Sequence, residues 1–133
     1  MEGLVPFARE IRSLNMAMKK EKLLVEYDLH LRGMRVDDAI ARLERIVSSE
    51  RARGGGVFAL VTGYGSSGGT SLIKSAVLAA LGKYVRQNHI RGFLDGEYAW
   101  DMFSPQYLAF RDASKIPIFY KRFPNPGMVF VSV

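Results

Sequence analysis

The chain of 133 residues has no cysteine. That excludes disulfides, zinc–thiolate sites and thiol nucleophiles together. Histidine occurs only at 30 and 89, so imidazole chemistry is confined to two places. No apolar run approaches the roughly 20 residues that span a bilayer. No basic-then-apolar leader opens the chain at MEGLVPFARE, so a cytoplasmic protein is expected. Acid is scarcer than base: 13 Asp and Glu against 19 Lys and Arg give a net charge of +6 and a pI near 9.8. That balance favours acidic partners such as nucleic acid.

What is present reads as one α/β domain behind a short N-terminal segment. Phe7, Ile11, Leu14 and Met18 recur at helical intervals after Pro6, which predicts an amphipathic helix within 1–22. LLVEYDLHL then alternates strictly. Leu23, Val25, Tyr27, Leu29 and Leu31 are expected on one strand face, and Glu26, Asp28, His30 and Arg32 on the other. Gly33 breaks the pattern. Val36, Ala39, Ile40, Leu43, Ile46 and Val47 form one face of a following helix, with Asp37 and Asp38 in its first turn, where the helix dipole favours anions. VFALV is a short covered strand. Ile73, Ala76, Val77, Ala80, Leu81, Tyr84 and Val85 mark a second helix, for which Thr70 is the expected N-cap. IRGFL and MVFVSV complete four strands. Right-handed crossovers place the first two strands parallel and adjacent. The connection from 96 to 124 is too long to be structureless, and Tyr98, Trp100 and Phe103 suit it to packing against the sheet more than to stacking on bases. RDASKIPIFYKR, residues 111–122, interleaves four cations with two aromatics, as a strand-tracking surface would. His89 is expected to cap a helix C-terminus.

The stretch ALVTGYGSSGGTS, residues 59–71, poses the functional question. Glycines at 63, 65, 68 and 69 follow a strand and precede a helix, and the first three of them spell G-x-G-x-x-G. The dinucleotide reading would need Asp95 to hold a ribose, yet Asp95 lies late in the chain and a second mononucleotide half is missing. A P-loop needs lysine where Gly69 stands. Backbone N–H groups at a helix start nonetheless suit an anion. Thr62, Tyr64, Ser66 and Ser67 surround Gly63 and Gly65, and Lys74 lies one turn further on, so a phosphate-contacting loop is expected.

Together these segments resemble the small MutS-related (Smr) domain. LHLRGMRVDDA, residues 29–39, is similar to that family's L-D-L-H-G or L-D-L-R-G strand end followed by a helix start. TGYGSSGG from Thr62 matches its T-G-x-G loop, and NPGMVFVSV its last strand. The likeness covers roughly 23–95 and 125–133 and leaves 96–124 as an insertion. It implies a two-layer sandwich, a mixed four-stranded sheet with two helices on one face, similar to the C-terminal domain of bacterial initiation factor three. It also implies binding to DNA or RNA, nicking endonuclease activity in several members, and in some a divalent cation such as Mg²⁺. The first motif aligns in two ways. Through Gly33, His30 and Arg32 stand at the family's aspartate and histidine positions. By letters, Asp28 and His30 form the pair.

Either alignment makes Asp28, His30 and Arg32 the candidate catalytic set: a general acid or base, the group that orients it, and a phosphate-neutralising cation. Thr62, Gly63, Tyr64, Gly65, Ser66, Ser67 and Lys74 are the candidate nucleic-acid contacts. The two groups are expected to meet at the C-terminal ends of neighbouring parallel strands. The alternatives are a small nucleotide-binding or regulatory domain using the same loop, and an interaction module that recruits a partner through the N-terminal helix. No membrane association is expected.

Overall fold

A computed structural model describes residues 22–63 and 68–133, without the side chains of 68–71. The expected N-terminal helix and residues Tyr64 to Ser67 lie outside the described residues. In chain order the elements are β1 (Glu26–Asp28), α1 (Val36–Ala52), β2 (Val57–Val61), α2 (Gly68–Arg86), β3 (Gly92–Asp95), α3 (Pro105–Ala109), α4 (Ile118–Arg122) and β4 (Met128–Ser132), with single 3-10 turns at Gly96–Tyr98 and Ala113–Lys115.

The sheet runs β1-β2-β4-β3. β1 and β2 are parallel, with Asp28 opposite Val61. β4 enters between β2 and β3 and is antiparallel to both, Phe130 facing Ala59 on one side and Leu94 on the other. This is the expected mixed four-stranded α/β sheet. All five residues of β4 are buried.

Because alternate residues of a strand point to opposite faces, the sheet needs two covers. On one face α1 and α2 pack Ala39, Leu43, Ile46, Val47, Ile73, Val77 and Leu81 against Phe58, Leu60, Val129 and Val131. These are the helix faces that the 3.6-residue period marks. The connection from 96 to 123 covers the other face, bringing Ala99, Phe110, Ala113, Ile116 and Tyr120 onto Ala59, Leu94, Met128 and Phe130. The packing expected of that connection comes from these residues and not from Trp100 and Phe103, which stay 60% and 84% exposed. Tyr98 packs at the margin of the cluster. No helix among the described residues is long and apolar enough to cross a membrane.

Two local expectations are corrected. The alternation in LLVEYDLHL yields a strand of three residues, and Leu23, Val25 and Leu31 are 45%, 54% and 49% exposed. β1 is an edge strand, and its chain turns away after Leu29, so the pattern outruns the sheet that would bury it. Tyr27 and Leu29 alone join the helix-side core. Likewise α2 begins at Gly68, so Thr70 falls within its first turn and does not precede it.

Gly55 shows how tightly the end of β4 is held. Its φ is +85°, and a Cβ there would lie 2.6 Å from the Val133 carbonyl oxygen. Gly54 has φ +104° but open space around the same position. Both Gly54→Ala and Gly55→Ala incur left-handed backbone strain of about 1 kcal/mol or more. Gly55→Ala adds a backbone clash, so its urea midpoint should fall clearly below that of Gly54→Ala. Equal midpoints would refute the close approach.

Candidate nucleic-acid site

The site grows out of the end of β1. The Leu29 amide still bonds to the Val61 carbonyl at 2.8 Å, and the Leu29 side chain is fully buried. The chain then turns through Leu31–Met34, closed by the Met34 amide on the Leu31 carbonyl at 2.9 Å, with Gly33 at φ +80°. Only glycine takes that backbone readily.

Asp28 and His30 are held together by two bonds to one carboxylate oxygen. The His30 amide donates to Oδ1 at 2.8 Å, an Asx turn, and imidazole Nδ1 lies 2.7 Å from the same atom. A proton on Nδ1 makes that contact a hydrogen bond and leaves Nε2 as the ring nitrogen turned to its surroundings. Both side chains remain accessible, His30 at 33% and Asp28 at 43%. Partial burial acts to raise the Asp28 carboxyl. The His30 amide, its imidazole and the Arg42 charge act the other way and hold it below the usual carboxylate range.

Arg32 does not stand in line with this pair. It sits in the turn, exposed, with no hydrogen bond or ion pair among the described residues. The strand face expected to carry Glu26, Asp28, His30 and Arg32 ends at Asp28, and Glu26 instead accepts a hydrogen bond from the Tyr120 hydroxyl at 2.5 Å. The cation that reaches the strand end is Arg42 of α1, whose Nε donates to the Asp28 carbonyl at 2.9 Å. Arg42, Arg45 and Arg53 line a hollow of about 190 Å³ between α1 and Tyr27. Sequence reading missed these arginines. The available signal was their position beside the apolar face of α1, where a long side chain reaches the neighbouring strand.

The glycine loop starts one strand away, so β1 and β2 bring Asp28 and Thr62 to one end of the sheet. Its first residues face inward, however. Thr62 is fully buried, and its amide and hydroxyl both donate to the Gly127 carbonyl, at 2.7 and 3.2 Å. The Gly63 amide donates to the same oxygen at 3.1 Å. These groups fasten the loop to the turn before β4 and are not turned towards a ligand. Tyr64, Gly65, Ser66 and Ser67 lie outside the described residues.

Lys74 is also engaged. Its Nζ contacts Asp95 Oδ1 at 2.9 Å and the Pro126 carbonyl at 2.6 Å, with the two side chains only 14% and 17% exposed. Lys74 therefore ties α2 to β3 and to the turn before β4, and charge at the site comes from the arginines. Asp95, which a dinucleotide reading would aim at a ribose, has the same Oδ1 occupied by Lys74 and by the Glu97 amide. His89 lies at the opposite end of the sheet, exposed, its ring tilted against Tyr84 with centroids 6.2 Å apart.

A divalent cation finds little here. Among the described residues no three of His, Asp and Glu gather to hold a metal. Asp95, at the matching end of β3, is three strand spacings from β1, about 14 Å, and is paired. Asp28 and His30 do not by themselves fit a resident metal site.

An accessible acid–histidine pair at the C-terminal end of a parallel edge strand, on a mixed sheet with β4 threaded antiparallel between β2 and β3, defines a small α/β domain with a polar site at one sheet end. The Smr domain family model matches residues 29–115, well over half the chain, and the chain belongs to that family. The matched span begins at Leu29, just after Asp28, and takes in the connection as far as Lys115. No curated protein and no solved structure matches the chain significantly. Membership supports a function exerted on nucleic acid.

Two outcomes follow from the geometry. Because the Asp28 carboxyl is depressed in the folded protein, it stabilises the fold above the unfolded value of about 3.9 and loses that contribution as pH falls through the folded value. Asp28→Asn keeps the Asx acceptor and removes the charge. Its deficit in urea midpoint should be present at pH 7 and shrink as pH falls through the lowered folded value, and a deficit constant with pH would refute the pairing. Lys74→Met leaves Asp95 without its cation in a largely buried place, so unfolding free energy should fall by about 1–3 kcal/mol. An unchanged midpoint would contradict the structural role given to Lys74.

Proposed function

We propose that this domain binds nucleic acid at the C-terminal ends of β1 and β2, and that the Asp28–His30 pair cleaves a phosphodiester there. The observation that most favours this reading is the accessible imidazole held by Asp28 at Nδ1, which leaves Nε2 without a partner among the described residues. That arrangement suits proton transfer: Nε2 takes the proton of an attacking hydroxyl or water, or, once charged, gives one to the leaving oxygen. Asp28 stabilises the imidazolium in either case, as carboxylates do in acid–histidine pairs on other folds.

Charge supports the same assignment. Arg42 and Arg45 flank β1 on the helix side, and Arg32 stands exposed in the turn that follows. Guanidinium groups match phosphate oxygens in a bidentate fork and stabilise charge that develops on them. In this reading the arginines hold the backbone and the pair acts on one phosphate of it. The outer loop residues, Tyr64 to Ser67, supply further contacts from the neighbouring strand.

Fluorescence anisotropy with short structured DNA and RNA between 50 and 200 mM salt tests binding. Three neutralised phosphates would weaken affinity about 40-fold over that range, against a few-fold for a single nucleotide. A shallow dependence would favour the nucleotide-binding alternative. For cleavage, labelled structured DNA and RNA are incubated with and without Mg²⁺. Asp28→Ala/His30→Ala should abolish product while retaining affinity within a few-fold. Product formed by the double variant at the wild-type rate would remove these residues from the reaction.

A further inference from the structure

At the other end of the sheet lies a cleft that the proposed site does not use. It has a volume of about 690 Å³ and is lined by Arg51, His89, Arg91 and Arg111, with Val85, Ile90 and Val133 beneath them. That volume is in the range of small-molecule sites. A second hollow of about 330 Å³ shares Arg51 and His89, adds Lys83, and is faced by a single acid, Glu44.

Four segments supply the cations of these two hollows. Arg51 comes from the last turn of α1 and Lys83 from that of α2. His89 and Arg91 come from the turn into β3, and Arg111 from the residues after α3. Asn88, in the same turn, takes a left-handed φ of +59°. The Arg91 amide, bonded to the Ser132 carbonyl at 2.7 Å, fixes the turn to the sheet.

Helix dipoles account for two of these cations, because a C-terminal turn favours positive charge. They do not account for Arg91 and Arg111. Arg91 is oriented by Asp112, with Nε 3.4 Å from Oδ2, while Asp112 also meets Lys115 and accepts from the Ser132 hydroxyl. The Ser132 bond leads the influences that keep the Asp112 carboxyl low, with Lys115 and Arg91 adding to it against burial. One ionised carboxylate therefore stands behind Arg91 and leaves the rest of its fork free. The side chains of Arg51 and Arg111 have no hydrogen bond or ion pair among the described residues. Uncompensated guanidinium groups around one concavity repel each other unless an anion lies between them.

We propose that this cleft is a phosphate-binding site, with Arg51, Arg91 and Arg111 as its ligands. It goes beyond the reading above and stands without it. The phosphate belongs either to a free nucleotide or to a distant part of a nucleic acid engaged at the other end. The length of a five-residue strand, about 17 Å, separates the two ends, which equals about five base-pair steps of duplex.

The test uses the full chain labelled with ¹⁵N and inorganic pyrophosphate as the probe, alongside salt-dependent anisotropy with a 12-base-pair duplex. The amides of His89, Arg91 and Arg111 should shift and saturate. In Arg51→Gln/Arg111→Gln the apparent affinity for pyrophosphate should fall at least tenfold, with the thermal midpoint confirming that the fold survives. A duplex source predicts that the same variant lowers the slope of log K against log salt by about 1.8, two phosphates at 0.9 each. An unchanged slope with lost pyrophosphate binding assigns the cleft to a free phosphate compound and supports the site. The proposal is overturned if pyrophosphate moves none of these amides and the slope is unchanged, or if the pyrophosphate response persists in the double variant.

Discussion

β4 is antiparallel between β2 and β3 and buried along its whole length, so neither face of the sheet can be left to solvent. Phe58, Leu60, Val129 and Val131 need the two helices, and Ala59, Leu94, Met128 and Phe130 need a second cover. Among the described residues, the segment between β3 and β4 supplies it. That necessity explains why a stretch with two five-residue helices and two 3-10 turns is nonetheless ordered: Phe110, Ile116 and Tyr120 are inserted into the sheet face. Burial of such side chains stabilises by roughly 1.5–3 kcal/mol each. The backbone around them is carried along.

The same constraint shapes the functional end. To enter the sheet at Met128 the chain makes a turn whose Gly127 carbonyl lies beneath the start of the glycine loop. It collects the amides of Thr62 and Gly63 and the Thr62 hydroxyl. Lys74 secures the same turn through the Pro126 carbonyl and reaches Asp95. Glycine density in this loop therefore serves two masters. Its first residues fit closely against the chain's own backbone, and the function assigned to the loop rests on the residues beyond them.

The distribution of charge then divides the molecule. Acid is engaged nearly everywhere that it is buried: Glu50 with Tyr27 and Arg53, Asp95 with Lys74, Asp112 with Ser132, Lys115 and Arg91. Base gathers without such partners in two places: Arg42 and Arg45 beside β1, and Arg51 and Arg111 in the cleft opposite. Each grouping gives a local positive field able to concentrate phosphate.

Read alone, the sequence determined the class of fold, the family and the apolar faces of both long helices. These rest on periodicities that depend only on local geometry, so Leu43, Ile46, Val77 and Leu81 are legible without coordinates. It also placed Asp28 and His30 together, since residues two apart on an extended segment cannot be far separated. Tertiary structure decided the rest. Whether β1 was long enough to bury Leu23 and Val25 depended on its place at the sheet edge. Whether Thr62 and Lys74 faced outward depended on Gly127, Pro126 and Asp95, which are 21 to 65 residues away in the chain. The gathering of Arg51, Arg91 and Arg111 joins three separate segments. No spacing rule encodes such meetings, because they follow from how the sheet is covered and not from the order of the chain.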